Sequence, residues 1–455
     1  MVHVSNTIDS YLSDFELFER NGATTGPSWL RQIRRSAIAS FAELGFPTTR
    51  HEEWKYTSVA PISKIRFKPA ESGIDGLTAE ALAGATFGEL TSARLVFVNG
   101  QYSPALSSLR SLPKGVIATS LAAALNTDPA SVEPYLARNA SFQDHPFVAL
   151  STAFMRDGAF VHVPKGTALA EPIHLLFVST RRGMATVSYP RNLIVAGDDS
   201  QLVIVESYIG LGNDVYFTNA VTEIVGGKNA VIAHHKLERE SQEAFHIATV
   251  QAHLDRRSNF SSRSIDLGGA LVRNDLNAVL AGEGIDCTLD GLYLVTGRQH
   301  VDNHTRIDHV MPHCSSRELY KGVLDGKSRG VFNGKIYVHK DAQKTDAKQT
   351  NKNLLLSEDA VINTKPQLEI HANDVKCTHG STIGQLDQDA IFYLRSRGLD
   401  LATARRLLTY AFASEIISRI RIEPLRAQLE NLLAARLSEG SRPVALRSSA
   451  GEDAP

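Results

Sequence analysis

Turn-forming residues return through the middle of this chain at almost constant intervals, and that period restricts the fold more than any other feature. The stretches that follow successive turns are "SQLVIV" from Ser200, "NAVIAH" from Asn229, "NFSSRS" from Asn259, "DCTLDG" from Asp286, "CSSREL" from Cys314 and "QKTDAK" from Gln343. Their starts step by 29, 30, 27, 28 and 29 residues. Repetition at this spacing marks a solenoid. Short runs rich in Val and Ile lie on either side of each turn, as strands do. Two strands per coil give a flattened parallel β-helix, in which each coil buries its inner face on its neighbours. An antiparallel sandwich with accidental spacing is the competing architecture. The later coils are polar: "KTDAKQTNKN" would turn Thr, Ala and Gln inward, where ladders between coils are expected to satisfy them.

The strand-and-turn character holds over 91–386. Before it, "PSWLRQIRRSAIASFAELG" sets Trp29, Leu30, Ile33, Ile38, Phe41 and Leu44 near helical spacing, and Gly45 and Pro47 stop the run. A weaker helix is expected over 77–85, so residues 1–90 form an N-terminal helical region. After the coils, "DQDAIFYLRSRG" ends on Gly398, "DLATARRLLTYAFASEIISRI" starts on Asp400 as N-cap, and "EPLRAQLENLLAARL" has Pro424 in its first turn. These define a C-terminal helical domain over 387–437, and 438–455 reads as a disordered tail.

A formal net charge of −1 offers no basic excess for nucleic acid or a membrane surface. Three cysteines, far apart and odd in number, make no disulfide framework and suit a reducing cytoplasm. "MVHVSNTIDSYLSDFELFER" lacks the apolar core of an export signal, and no apolar run is long enough for a membrane helix, so a cytoplasmic location is expected.

Four groups of residues could carry chemistry. "KGVLDGKS" at 321–328 has three residues between Gly322 and Gly326 where a phosphate loop needs four, so it reads as a coil turn and nucleotide hydrolysis belongs elsewhere. "RQHVDNHTRIDHVMPHC" gathers His300, His304, His309 and His313. On a strand His300 and His304 share a face; His309 and His313 take the other only if the strand survives Pro312. Solvated or ladder histidines and a metal site are the two readings. Asp341, Asp346 and Lys348 are the candidates if the coils form a carbohydrate-active enzyme, although such enzymes act mostly outside the cell. The last group is "PQLEIHANDVKCTHGST", where Cys377 and His379 share a strand face, joined by His371 and Val375 if the strand is regular. A thiolate beside an imidazole suits iron or zinc, and an imidazolium lowers a thiol pKa. Two donors do not complete a tetrahedral site, so others must come from elsewhere in the fold or from a partner. A buried structural cysteine with a hydrogen-bonded histidine is the alternative.

"RHEEWKYTSV", "GRQHVDNHTRIDH" and the long tract "GVFNGKIYVHKDAQKTDAKQTNKNLLLSEDAVINTKPQLEIHANDVKCTHGSTIGQLDQDAIFYLRSRGL" carry a family likeness. Through them the chain resembles, over nearly its whole length, the SufB and SufD subunits of iron–sulfur cluster assembly complexes, on the SufD side. The resemblance implies a right-handed parallel β-helix core between N-terminal and C-terminal helical parts, and a scaffold subunit in place of an enzyme. It implies a SufB-like partner paired through the β-helix and a SufC-like ATPase docked on the C-terminal helices around Leu407 to Ile420, lost on truncation after Gly398. Homologous edges also pair with themselves, which makes a homodimer of the isolated chain a second arrangement. The family's functional histidine matches His379, with Cys377 beside it, at a nascent cluster shared with the partner. A reduced flavin is associated with the assembled complex, although nothing in these residues points to one. SufB-like chains are the homologous rival. They carry a cysteine where this chain has Ala360 and another where it has Leu394, and both departures favour SufD.

Overall fold

The computed structural model describes residues 2–20, 26–70, 77–86, 93–110, 112–180 and 183–439. The middle of the chain winds as a β-solenoid of about eight turns over 160–384. Each coil gives one strand to each of two facing sheets, and each strand pairs in parallel with the second strand along. In one sheet Asp346–Leu355 lies between Ser315–Leu324 and Lys376–Gly384; in the other, Arg329–Val338 lies between His300–His309 and Val361–Ile370. This parallel order excludes the sandwich.

The period seen in the sequence is the period of the corners. Asp199, Asn229, Arg257, Gly284, His313 and Lys344 hold left-handed backbone with φ between 55° and 72°. The N–H of each bonds to the carbonyl of the corner region one coil on, from Asp199 to Lys228 at 2.7 Å through to Lys344 with Asp374 at 2.6 Å. Each corner therefore stacks on the next. "KGVLDGKS" is a corner on the other edge of the coil: its strand ends at Leu324, and Gly326 turns at φ 66° before Arg329–Val338 begins.

Inward positions follow from alternation. Leu202, Ile204, Ile232, Phe260, Cys287, Ala252, Leu280 and Val295 form one continuous buried core along the axis. Tyr293 and Tyr320 are both inward, and each lies over a glycine of the adjacent strand. A Cβ on Gly291 would stand 2.2 Å from the Tyr320 ring, and one on Gly322 would stand 2.2 Å from the Tyr293 ring. Polar inward groups are laddered as expected: Glu206 accepts from Tyr208 at 2.5 Å and from Thr222 at 3.0 Å, and its Oε2 lies 3.0 Å from His234 Nε2. Thr345, Ala347 and Gln349 are buried, alongside Asn351 and Asn353.

Helices Val2–Arg20, Ser28–Leu44 and Pro146–Phe154 pack an aromatic cluster of Tyr11, Phe15, Phe18, Phe41, Phe46, Phe147 and Phe154. The last of these helices, with Leu121–Thr127 and Pro129–Val132, falls inside the stretch whose sequence reads as strand and turn. Pro146–Phe154 is buried all round and so has no amphipathic period to reveal it; its signal is the cap, with Pro146 in the first turn and His145 Nδ1 accepting from Val148 N–H at 3.4 Å. Over 77–85 the expected helix is a single 3-10 stretch, Glu80–Ala85.

Residues from Gln385 form a separate compact unit. It holds Gln388–Ser396, Leu401–Ile417 and Glu423–Glu439. Asp387 and Asp400 cap the first two helices through backbone N–H groups, and Gly398 turns between them at φ 93°. Leu425, Leu429 and Leu433 are buried at helical spacing, as are Ile416 and Ile417 opposite them, whereas Phe392, Tyr393, Leu401 and Leu407 are exposed. Residues 438 and 439 end the third helix, and the rest of the expected tail lies outside the described residues. Among the described residues no helix is long and apolar enough to cross a membrane.

Candidate functional site

The last coil differs from every coil before it. Val361–Ile370 is half-buried to exposed throughout, and Lys376–Gly384 is exposed at nearly every position. Each strand pairs on one side only, so each sheet ends in a free edge among the described residues. Across the open end Thr364 and Ser381 meet, hydroxyl to hydroxyl, at 2.9 Å.

Cys377 and His379 stand on Lys376–Gly384 in register with Ala347 and Gln349. Those two are buried while Lys348 between them is exposed, so the Cys377 and His379 positions belong to the inner face. Cys377 packs on a small apolar cluster of Ile336, Val338, Ala347 and Ala372. Burial, with a smaller push from Asp346, raises its thiol above the ordinary range. That favours the protonated form, and a ligand would have to be the thiolate. His379 is exposed at the open end. The expected parity does not reach His371, because the turn over 372–375 interrupts the strand. His371 instead sits beside Glu369 at 3.3 Å and against Tyr337 on the outer face.

No group of three or more His, Cys, Asp or Glu side chains suited to a metal ion occurs among the described residues. Cys287 shares a ladder with Ser316, Ala347 and Cys377, three strand spacings away at roughly 14 Å. Its thiol is buried and pushed far up. Cys314 donates to the Gly282 carbonyl at 3.2 Å. The three thiols do not converge, and no third side chain of this kind joins Cys377 and His379 among the described residues.

The histidine run divides among structural duties. His300 and His304 face outward, where the segment 51–57 docks on the sheet. Thr57 bonds both His300, at 2.9 Å, and Asp302, at 2.5 Å, and His304 sits 3.0 Å from Asp302 and 3.4 Å from Glu53. Arg273, fully buried, donates to the Glu53 carbonyl at 2.6 Å, pairs with Asp275 and Asp302, and lies 3.7 Å over Trp54. Burial opposes the charge on Asp302, but His304 and Arg273 outweigh it and hold the carboxyl at about 2. Two of the three stretches that carry the family likeness thus pack on each other. His309 is buried against Ser316 at 3.0 Å, and His313 is a coil corner. In a cleft of about 370 Å³ beside this dock Arg306 pairs with Asp308 and Lys335 with Glu369, and His145 lies 3.4 Å from Asp275. Nor do the enzyme candidates assemble: Asp346 is taken by Arg317 at 2.7 Å, Lys348 points outward and Asp341 lies exposed on a turn.

Sequence reasoning left Arg273 and Glu318 unassigned, and it turned Gln349 inward without giving it a partner. The signal for Gln349 was present: in "DAKQTNKN" the lysines alternate with Ala, Gln and Asn, which marks the inner face of a polar coil.

The parallel solenoid thus ends on a bare coil that carries Cys377 and His379. Comparison with known proteins identifies the family. "SUF system FeS cluster assembly, SufBD core domain" matches residues 177–412, and "SufBD protein N-terminal region" matches residues 5–175. An iron–sulfur cluster assembly SufBD family protein of Synechocystis is 36% identical over 420 residues, covering 90% of this chain and 92% of that one. Iron–sulfur cluster assembly protein SufD of Escherichia coli is 32% identical over 447 residues, covering 97% and 100%. SufD of Bacillus subtilis is 27% identical over 426 residues, covering 90% and 94%. The chain belongs to the SufBD family and is a component of the SUF system for iron–sulfur cluster assembly.

Proposed function

We propose that this chain is the SufD-type scaffold subunit of a cytoplasmic cluster assembly complex, and that His379 gives one donor to a nascent iron–sulfur cluster whose remaining ligands come from a SufB-type subunit. The observation that carries this reading is the last coil: two parallel edges left free and an exposed His379 with no group of three such side chains around it, among the described residues. Free edges are templates for pairing with another chain, and a partial shell binds a product weakly enough to pass it on. Cys377 is the lesser contributor, since its thiol is packed and held protonated. The cluster is cargo here and not a resident cofactor; a reduced flavin, where one takes part, acts in the assembled complex.

The exposed Phe392, Tyr393, Leu401 and Leu407 of the C-terminal unit supply the apolar surface for a SufC-type ATPase. The homologous SufB-type role is disfavoured because Ala360, buried at 5%, and Leu394 offer no thiols where those chains carry them. His379→Ala is expected to abolish cluster formation in the reconstituted complex, read by absorbance and bound iron, while co-purification of the three subunits is unchanged. Normal cluster yield in that variant removes His379 from the account.

A further inference from the structure

Gln349 lies on the inner face of Asp346–Leu355 with 1% of its surface exposed. It stands in one ladder with Glu318 on the coil before it and His379 on the coil after it. Matching positions on parallel strands point the same way and are about 4.8 Å apart. The carboxamide nitrogen of Gln349 donates to Glu318 Oε2 at 2.7 Å. This bond turns the amide nitrogen back along the ladder, toward Glu318. The carboxamide oxygen is buried and has no hydrogen-bond partner. Space for the group is cleared from the opposite sheet: a Cβ on Gly334 would fall 2.3 Å from the carboxamide nitrogen. A buried acceptor left empty is unfavourable, and the next side chain along the ladder that can fill it is His379.

We propose that Gln349 is the positioning residue of His379: its Oε1 accepts from one ring N–H, which leaves the other ring nitrogen as a lone pair turned toward the open end. The proposal rests on the reading of His379 as a cluster donor. Histidine ligands commonly hold their second nitrogen against an acceptor of this kind, which fixes tautomer and ring orientation. Glu318 anchors the acceptor in turn, so the ladder runs from anchor to acceptor to donor over three consecutive coils.

The test is a nitrogen-15 spectrum of the full chain with labelled histidine, with the His379 ring signal identified by its absence in His379→Ala. The wild type is expected to show a His379 ring N–H protected from exchange with water, and Gln349→Met to lose it while the His309 ring signal stays unchanged as a check of the fold. The exchanged pair Glu318→Gln with Gln349→Glu keeps both an anchor and an acceptor oxygen, and is expected to restore the protected N–H. In the reconstituted complex Gln349→Met should lower cluster yield about tenfold, as loss of an outer partner of a metal ligand does, and the exchanged pair should recover it. A wild-type His379 with no protected N–H, or one whose N–H survives in Gln349→Met, overturns the proposal. The cluster yield of His379→Ala judges the donor role separately, so the two ideas fail on different measurements.

Discussion

The two ends of the solenoid are built differently. At the N-terminal end Ala93–Val98 continues one sheet and then carries antiparallel strands, Gln101–Tyr102 and Ser108–Leu109, while Ile117–Ser120 runs antiparallel to Ala159–Val163 on the other. The interior there is closed by Phe97, Phe177 and Tyr208, stacked at 4.9 and 4.8 Å. At the C-terminal end the ladder stops on two bare parallel strands, and the interior below them is Gln349, Asn351 and Asn353. A chain that caps one end this thoroughly has the means to cap both. On the reading proposed above, the open end is the surface for a partner: main-chain donors and acceptors over a polar interior.

This contrast can be broken by substitution. The largest effect is expected at the closed end, where Phe177→Ala should lower unfolding free energy by about 3–5 kcal/mol in urea titration, the range for emptying a buried aromatic site. An effect below 1 kcal/mol would mean that the stack does not close the end. An intermediate, pH-dependent effect is expected from Glu318, whose carboxyl burial pushes up to about 7. Its folded pKa lies above its unfolded value, so its contribution is fully present below about pH 4.5 and is lost as pH rises through 7. Glu318→Gln should therefore be more stable than wild type at pH 8 and lose that advantage at pH 4; parallel pH profiles for the two proteins would contradict the assignment. The smallest effect is expected at the open end. Ile383 is 50% exposed, and Ile383→Asp should change the stability of the isolated chain by no more than about 0.5 kcal/mol while weakening capture of the SufB-type partner.

How much of this was legible in the sequence varied with the distance over which the signal is written. The coil period could be read because corner positions such as Asp199, Asn229 and Gly284 use residues that tolerate left-handed backbone. Arg257, His313 and Lys344 hold the same corners without any such signature, and only the spacing finds them. The shared face of Cys377 and His379 followed from strand alternation, whereas His371 was to join them only if the strand stayed regular, and the turn over 372–375 breaks it. The dock of 51–57 was out of reach. Arg273 meets Glu53 across 220 residues and Thr57 meets Asp302 across 245, and no local pattern records such pairs. The same distance made His300 and His304 look like ligand candidates when they are fasteners.

Hydrogen exchange at the backbone of Val361–Ile370 and Lys376–Gly384, measured in the free chain and after addition of a SufB-type subunit, tests the central claim most directly. The account predicts that the free-edge amides of both strands exchange quickly alone and become strongly protected with the partner, while amides of Ala93–Val98 exchange equally slowly in both states. Equal exchange of the last coil with and without a partner that demonstrably binds would contradict it, because the two chains would then meet somewhere other than at this open edge.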